Sequence, residues 1–176
     1  MSRTSPDAKF IPLNVAVITI SDTRTTDDDG SGDFLSKSLK REGHHIVRRK
    51  IVKDDCYSLR AEFSALIADD EVTVVLSTGS TGLTGRDVAP EALEPLFDKT
   101  IEGFGELFRA ASVTDIGAAT IQSRAFAGLA NGTVIFCMPG SPNACRTAWE
   151  EVIRPQLDSR TRPCNLANLM PRFRET

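Results

Sequence analysis

The sequence predicts an α/β domain, a mainly parallel sheet with helices on both faces. Three observations predict it. Short β-branched runs alternate with amphipathic stretches, the order that builds right-handed strand–helix–strand crossovers. Two runs, Val15-Ala16-Val17-Ile18-Thr19-Ile20 and Val72-Thr73-Val74-Val75-Leu76, are nearly all apolar, the mark of strands covered on both faces. In the C-terminal half, Asn131-Gly132 lies between two further apolar runs, which is a hairpin signal. A length of 176 residues suits one domain with a sizeable core.

Residues 1–13 are polar and mixed in charge, and read as a flexible arm. The first strand, 15–20, runs into Ser21-Asp22-Thr23 and a polar loop marked by Gly30 and Gly32. A helix carrying Phe34, Leu35 and Leu39 follows and stops at Gly43. Ile46-Val47 and Ile51-Val52 frame the second strand, whose basic middle, Arg48-Arg49-Lys50, predicts an exposed position. Lys53-Asp54-Asp55 closes it. Leu59, Phe63, Leu66 and Ile67 then recur at helical spacing. After the third strand and its loop, a helix opens near Pro90 and carries Leu93 and Phe97. A short strand at 100–102 and a helix over 103–112 lead to the hairpin, 125–129 and 133–137. The last helix carries Ala148, Trp149, Val152 and Ile153, with Pro155 near its end. The domain is therefore expected over 14–157, with 158–176 as a C-terminal tail.

A formal charge of -3 and a pI near 5.4 argue against a nucleic-acid partner. No apolar run approaches a membrane span, and the N-terminus lacks an apolar signal core. The expectation is a cytoplasmic protein with no membrane partner. Cys56, Cys137, Cys145 and Cys164 show no metal-ligand spacing and read as reduced structural thiols.

In parallel sheets, ligands bind outside the carboxyl ends of the strands. Three polar loops lie there: Ser21-Asp22-Thr23, Thr78-Gly79-Ser80-Thr81-Gly82-Leu83-Thr84-Gly85-Arg86-Asp87, and Pro139-Gly140-Ser141-Pro142. Asp54 lies at a fourth strand end. The glycine-rich loop between a strand and a helix points backbone N–H groups at one spot, which suits a phosphate. The alternative is an ordinary strand-to-helix turn. Neither a P-loop nor a dinucleotide fingerprint is present.

Asp22, Asp29, Asp54 and Asp87 occupy these loops. A carboxylate beside a phosphate needs an intervening cation, and Mg²⁺ is the usual one. Asp54 and Asp87 are thus candidate Mg²⁺ ligands; alternatively Asp54 only ends a strand and Asp87 caps the helix near Pro90. Arg86, Arg109 and Arg124 are candidates for phosphate pairing or for surface ion pairs. His44 and His45 fall away from the loops. Ser141 lacks a hydrolase nucleophile context.

Taken together, Ile20-Ser21-Asp22-Thr23, Asp29-Gly30-Ser31-Gly32, Val52-Lys53-Asp54, Ser77-Thr78-Gly79-Ser80-Thr81-Gly82, Arg86-Asp87-Val88-Ala89-Pro90-Glu91-Ala92, Ser123-Arg124 and Met138-Pro139-Gly140-Ser141-Pro142 resemble the MoaB/Mog family of molybdenum cofactor biosynthesis, which includes the gephyrin G domain. The resemblance covers nearly all of 13–165. Glu102-Gly103-Phe104-Gly105-Glu106-Leu107-Phe108-Arg109, Cys145-Arg146-Thr147-Ala148-Trp149-Glu150 and Thr161-Arg162-Pro163-Cys164-Asn165 are similar to the bacterial MoaB branch in particular.

The resemblance implies a three-layer α/β/α sandwich that self-associates as a homotrimer or a dimer of trimers. It implies binding of molybdopterin, and in active members an adenylyltransferase reaction that moves AMP from Mg-ATP to the molybdopterin phosphate and releases pyrophosphate. Other molybdenum cofactor biosynthesis proteins are implied partners. Residues Thr78, Gly79, Ser80, Thr81 and Gly82 would take phosphate. Asp54 and Asp87 would organise Mg²⁺ and ATP. Ser21, Asp22, Pro139, Gly140 and Ser141 would line the nucleotide or pterin pocket. Two positions depart from the family pattern. Ser80 stands where glycine is common, which is strained by ~1 kcal/mol or more if its φ is positive. Ala89 stands where threonine is frequent, removing a helix cap. The alternatives are a pterin-binding protein of the same fold without turnover, and a non-catalytic scaffold.

Overall fold

The computed structural model describes residues 3–4 and 8–175. After a two-residue strand β1 (Arg3–Thr4), the chain enters β2 (Asn14–Ile20), then α1 (Gly30–Glu42), β3 (His45–Val52), α2 (Cys56–Ala68) and β4 (Val74–Thr78). A short helix α3 (Ala89–Leu93) and a 3₁₀ turn lead to β5 (Lys99–Thr100), α4 (Glu102–Ile116) and a 3₁₀ segment (Gly117–Gln122). The hairpin is β6 (Phe126–Ala130) and β7 (Thr133–Met138). A last long helix combines α5 (Pro142–Thr147), a π turn (Ala148–Ile153) and α6 (Arg154–Leu157). Beyond it lie β8 (Thr161–Arg162) and α7 (Leu166–Leu169).

Six strands form one sheet in the order β3-β2-β4-β7-β6-β5. The pairs β2–β3, β2–β4 and β4–β7 are parallel, while β6 is antiparallel to both neighbours. Successive side chains alternate between two cores. Val15, Val17, Leu76 and Phe136 pack with Leu35, Leu39, Phe104, Phe108 and Trp149 of α1, α4 and the last helix. Ala16, Ile18, Val75 and Ile135 pack with Leu59, Phe63 and Leu93 of α2 and α3. The result is the α/β/α sandwich expected. The chain leaves β2 for β3 on one side and returns past β2 to β4 on the other, so a crevice opens at their carboxyl ends.

Local chemistry explains several elements. β3 is an edge strand, so Arg48, Arg49 and Lys50 are exposed as predicted. Asn131 (φ 47°) and Gly132 (φ 82°) both adopt the left-handed conformation that a tight hairpin turn requires. The π turn precedes Pro155, which has no N–H for the carbonyl four residues back and crowds it.

The segment from 158 onward differs from the expected tail. β8 pairs with β1, and Ser159, Thr161, Asn165 and Ala167 are buried. Asn165 Oδ1 caps α7 at 2.8 Å, and its Nδ2 donates to the Thr161 carbonyl at 2.9 Å. Leu166, Met170 and Phe173 pack against the core. Polar residues that read as solvated instead satisfy turns and a cap. Of the N-terminal arm, residues 1, 2 and 5–7 lie outside the described part. Nearer the domain, Leu13 is buried, Ile11 N–H donates to Ser159 Oγ, and Phe10 packs on His44. Among the described residues, no helix is long and apolar enough to cross a membrane.

Candidate functional site

The ends of β2, β4 and β7 meet at a cleft of about 700 Å³. Their loops touch. Gly79 has φ 106°, and a Cβ there would sit 2.3 Å from the Ile20 carbonyl oxygen. A Cβ on Gly140 would lie 3.3 Å from the Gly79 Cα. Glycine at both positions lets three separate loops abut. Gly79 N–H donates to the Met138 carbonyl at 2.9 Å, Thr78 Oγ1 to the Pro139 carbonyl at 2.9 Å, and Ser31 Oγ to the Gly140 carbonyl at 2.8 Å.

Of the residues predicted from the sequence, Ser21, Asp22, Asp54, Gly79, Ser80, Thr81, Gly82, Asp87, Pro139, Gly140 and Ser141 line this cleft. Thr78 does not. It is fully buried beneath, between Pro139 and Cys145, because it still belongs to β4. The backbone N–H groups of Ser80, Thr81, Gly140 and Ser141 have no backbone acceptor among the described residues. The hydroxyls of Ser21 and Ser141 already accept local N–H groups, from Thr23 and Arg24 and from Ala144. Each of these hydroxyls keeps its own proton to donate beside the backbone groups.

The carboxylates divide by role. Asp55 caps α2 through Ser58 N–H at 2.8 Å, which leaves Asp54 to the cleft. Asp54 Oδ1 accepts the Ser80 hydroxyl at 2.5 Å. Burial raises the Asp54 pKa, hydrogen bonds from Ser80 and the Val88 backbone oppose this, and the charges of Asp87 and Asp22 add to the rise. Asp87 does not cap α3. Its Oδ2 accepts from Thr84 N–H at 2.9 Å and from Thr84 Oγ1 at 2.6 Å, closing its own loop. Burial pushes the Asp87 pKa up, but the Thr84 and Gly82 hydrogen bonds and the Arg124 charge outweigh it, so the net shift is downward. Asp22 Oδ1 accepts Asp54 N–H at 3.3 Å, and Asp22 also pairs with Arg86. Asp29 sits 2 % exposed as the N-cap of α1, bonded to Thr19, Gly32 and Arg49.

Asp54 and Asp87 thus share one cleft with Asp22, which is paired with Arg86, and Asp115, which is bonded to Asn143. Among the described residues, no group of three or more His, Cys, Asp or Glu side chains is placed to hold a metal. Such a donor set fits a Mg²⁺ carried in by nucleotide phosphates, since Mg²⁺ is commonly held by one or two carboxylates plus those phosphates.

The arginines do other work. Arg124 donates to the Gly82 carbonyl at 2.7 Å and the Asp87 carbonyl at 2.6 Å, and pairs with Glu91. Arg109 donates to the Ala125 carbonyl at 3.1 Å. Both fasten loops. Arg24, by contrast, lines the cleft, as do Asp115 and Asn143, which bond to each other across α4 and α5. Sequence reasoning missed all three. Arg24 was legible three residues after Ser21; the Asp115–Asn143 contact has no local signal.

Residues 16–159 match the MoCF_biosynth family, described as a probable molybdopterin binding domain. The chain belongs to this family. It is 58 % identical over 165 residues to molybdenum cofactor biosynthesis protein B of Escherichia coli (strain K12), covering 94 % of this chain and 96 % of that one. Identity to the Bacillus subtilis (strain 168) protein of the same name is 46 % over 142 residues, 80 % of this chain and 84 % of that one. Among solved structures, a molybdenum cofactor biosynthesis protein B superposes with a TM-score of 0.85 at 39 % identity, covering 94 % of this chain and 98 % of that one. The tungsten cofactor synthesizing protein MoaB from Pyrococcus furiosus superposes at 0.76 with 36 % identity, covering 97 % and 100 %. These MoCF_biosynth relatives agree with the resemblance to MoaB/Mog proteins and with the fold.

Proposed function

We propose that this protein acts in molybdenum cofactor biosynthesis, where it binds molybdopterin and transfers AMP from Mg-ATP to the terminal phosphate of molybdopterin. One observation carries the reading: residues of two loops whose backbone N–H groups have no backbone acceptor among the described residues line one cleft with Asp54 and Asp87. Two polyanions need such a place to meet.

In the reaction, an oxygen of the molybdopterin phosphate attacks the α-phosphorus of ATP. The bond between the α-phosphorus and its bridging oxygen breaks, and pyrophosphate leaves. The attacking phosphate is ionised near neutral pH, so no general base is required. The protein's task is alignment and charge neutralisation. Backbone N–H groups of Ser80, Thr81, Gly140 and Ser141 supply donors that need no reorganisation. When bound, Mg²⁺ neutralises phosphate charge beside Asp54 and Asp87. Arg24 supplies the cation that the protein itself contributes to the cleft.

Self-association as a homotrimer or dimer of trimers, a cytoplasmic setting and contacts with other cofactor biosynthesis proteins belong to the same reading. Exposed Leu107, Val113, Ile116 and Ile121 on and after α4 support the first of these. Binding of molybdopterin without turnover is the second reading, supported by the Ser80 hydroxyl that already engages Asp54.

Purified protein, molybdopterin and Mg-ATP, with pyrophosphate as the readout, decide between them. Turnover is expected to require molybdopterin and to fall at least about a hundredfold in Asp87→Ala. Tight molybdopterin binding with no pyrophosphate would establish the second reading instead.

A further inference from the structure

Ser80 occupies a backbone conformation that favours glycine. Its φ is 60°, in the left-handed region, and only 7 % of the residue is exposed. The hydroxyl is saturated. Val88 N–H donates to Oγ at 2.8 Å and Ala89 N–H at 2.9 Å, the latter shared with the Ser80 carbonyl at 3.1 Å. Both partners are donors, so the hydroxyl proton is left for the third contact, the 2.5 Å bond to Asp54 Oδ1.

The three contacts join distant parts of the chain. Val88 stands at the N-cap position of α3 and offers no side-chain cap. Ser80 supplies that acceptor from eight residues upstream. Asp54 comes from the end of β3, across the β2–β4 crevice. One hydroxyl therefore ties a strand-end carboxylate to the first residues of a helix in the opposite wall.

We propose that Ser80 is a positioning residue that fixes the Asp54 carboxylate in the cleft by locking it to the start of α3. The latch is a matter of geometry; its consequence for ligand rests on the reading of Asp54 as an organiser of Mg-ATP. Without the hydroxyl, Asp54 keeps only the Val88 backbone contact beside two like charges, Asp22 and Asp87, and its carboxylate is held less firmly. Asp54 then no longer meets the nucleotide in one fixed orientation.

The test compares Ser80→Ala, Ser80→Gly, Asp54→Ala and Ser80→Ala/Asp54→Ala. Amide hydrogen exchange at Val88 is expected to quicken about tenfold in both Ser80 variants, with a smaller change at Ala89, whose N–H keeps the residue 80 carbonyl, while Val75 in β4 is unchanged. By calorimetric titration with ATP and Mg²⁺, Kd is expected to rise about five- to tenfold in Ser80→Ala. In the Asp54→Ala background the same substitution should change Kd by less than about twofold, because a positioning residue acts only through its partner. An equal loss of affinity in both backgrounds would overturn the proposal, as would Ser80→Gly with wild-type exchange at Val88. If the unaltered protein takes up no Mg-ATP, the proposed function is what fails. The latch is then decided by the exchange data and by the coupling of Ser80 to Asp54 in urea unfolding, where a coupling of zero refutes it.

Discussion

Replacing Gly79 by alanine tests the contact on which the cleft is built. At φ 106° an L-residue is strained, by about 1–3 kcal/mol. The added Cβ would also lie 2.3 Å from the Ile20 carbonyl oxygen and 3.5 Å from its Cβ. The obstacle at 2.3 Å is backbone, held in the sheet between β3 and β4, so no side chain can swing away to relieve it. Overpacking of this kind costs a further ~1–3 kcal/mol. The expected destabilisation is therefore about 2–6 kcal/mol. Gly85, in the same loop, is the internal control. A Cβ there meets nothing within 4 Å. Gly85→Ala should fall within about 1 kcal/mol of the parent, on the stable side if the unfolded chain loses entropy. Urea unfolding followed by tryptophan fluorescence reads both, since Trp149 is the single, fully buried indole. Gly79→Ala within about 1 kcal/mol of Gly85→Ala would refute the reasoning, because the loops would then not be held against one another.

His44 gives a pH prediction. Burial lowers its pKa to about 4, and Leu13 N–H donates to Nδ1, so the folded protein holds it neutral. The unfolded chain binds a proton near pH 6.5 and the folded one does not, so stability is full above 6.5 and falls as pH drops toward 4. The loss between pH 7.5 and 5.0 should be at most about 2 kcal/mol, measured by urea midpoints, and the slope should flatten in His44→Gln. An unchanged slope would show that another group titrates. Arg124→Lys should lose the fork that holds the Gly82 and Asp87 carbonyls, costing about 2 kcal/mol in unfolding and raising the KM for ATP more than it lowers kcat. A variant with parental stability would show that these carbonyls need no donor. Chelation of Mg²⁺ by EDTA should weaken ATP binding about tenfold or more, by calorimetry, while Asp54→Asn/Asp87→Asn should narrow that difference; equal affinities with and without Mg²⁺ would remove the metal from the scheme.

What was legible in the sequence is what depends on neighbours along the chain. The hairpin could be read from Asn131-Gly132 because the turn's own dihedral needs choose those residues. The β2 and β4 ends could be read because a run of apolar residues stops at serine, threonine and glycine. The edge position of β3 followed from Arg48-Arg49-Lys50. Contacts between segments were not legible. The sign of φ at Ser80 was left open, since the ~1 kcal/mol cost of a positive value does not forbid it; the φ of 60° appears only in three dimensions. Asp87 looked like a helix cap by position, but the cap of α3 is the hydroxyl of Ser80, eight residues away from Val88. The segment after 158 was read as a tail because it is rich in arginine, asparagine and proline, and the hydrogen bonds that tie it to the domain appear only in three dimensions.

The charge pattern of the cleft has its own logic. Asp22, Asp54, Asp87 and Asp115 line it, with Arg24 the one basic side chain beside them among the described residues. Arg86 answers Asp22, and Asn143 answers Asp115. That leaves Asp54 and Asp87, whose fates differ: burial raises the pKa of one, while hydrogen bonds and Arg124 lower that of the other. A cleft so lined would repel a bare triphosphate and a phosphorylated pterin. With a divalent ion between them, the same carboxylates turn from an obstacle into half of a clamp, and the backbone donors of the glycine-rich and Gly140-Ser141 loops form the other half. In the function proposed above, discrimination would fall on the ligand as it arrives: an anion accompanied by its cation would fit, and the anion alone would not. The rigidity that such a clamp requires comes from the buried hydrogen bonds around it, and these join loops that no local pattern in the sequence connects.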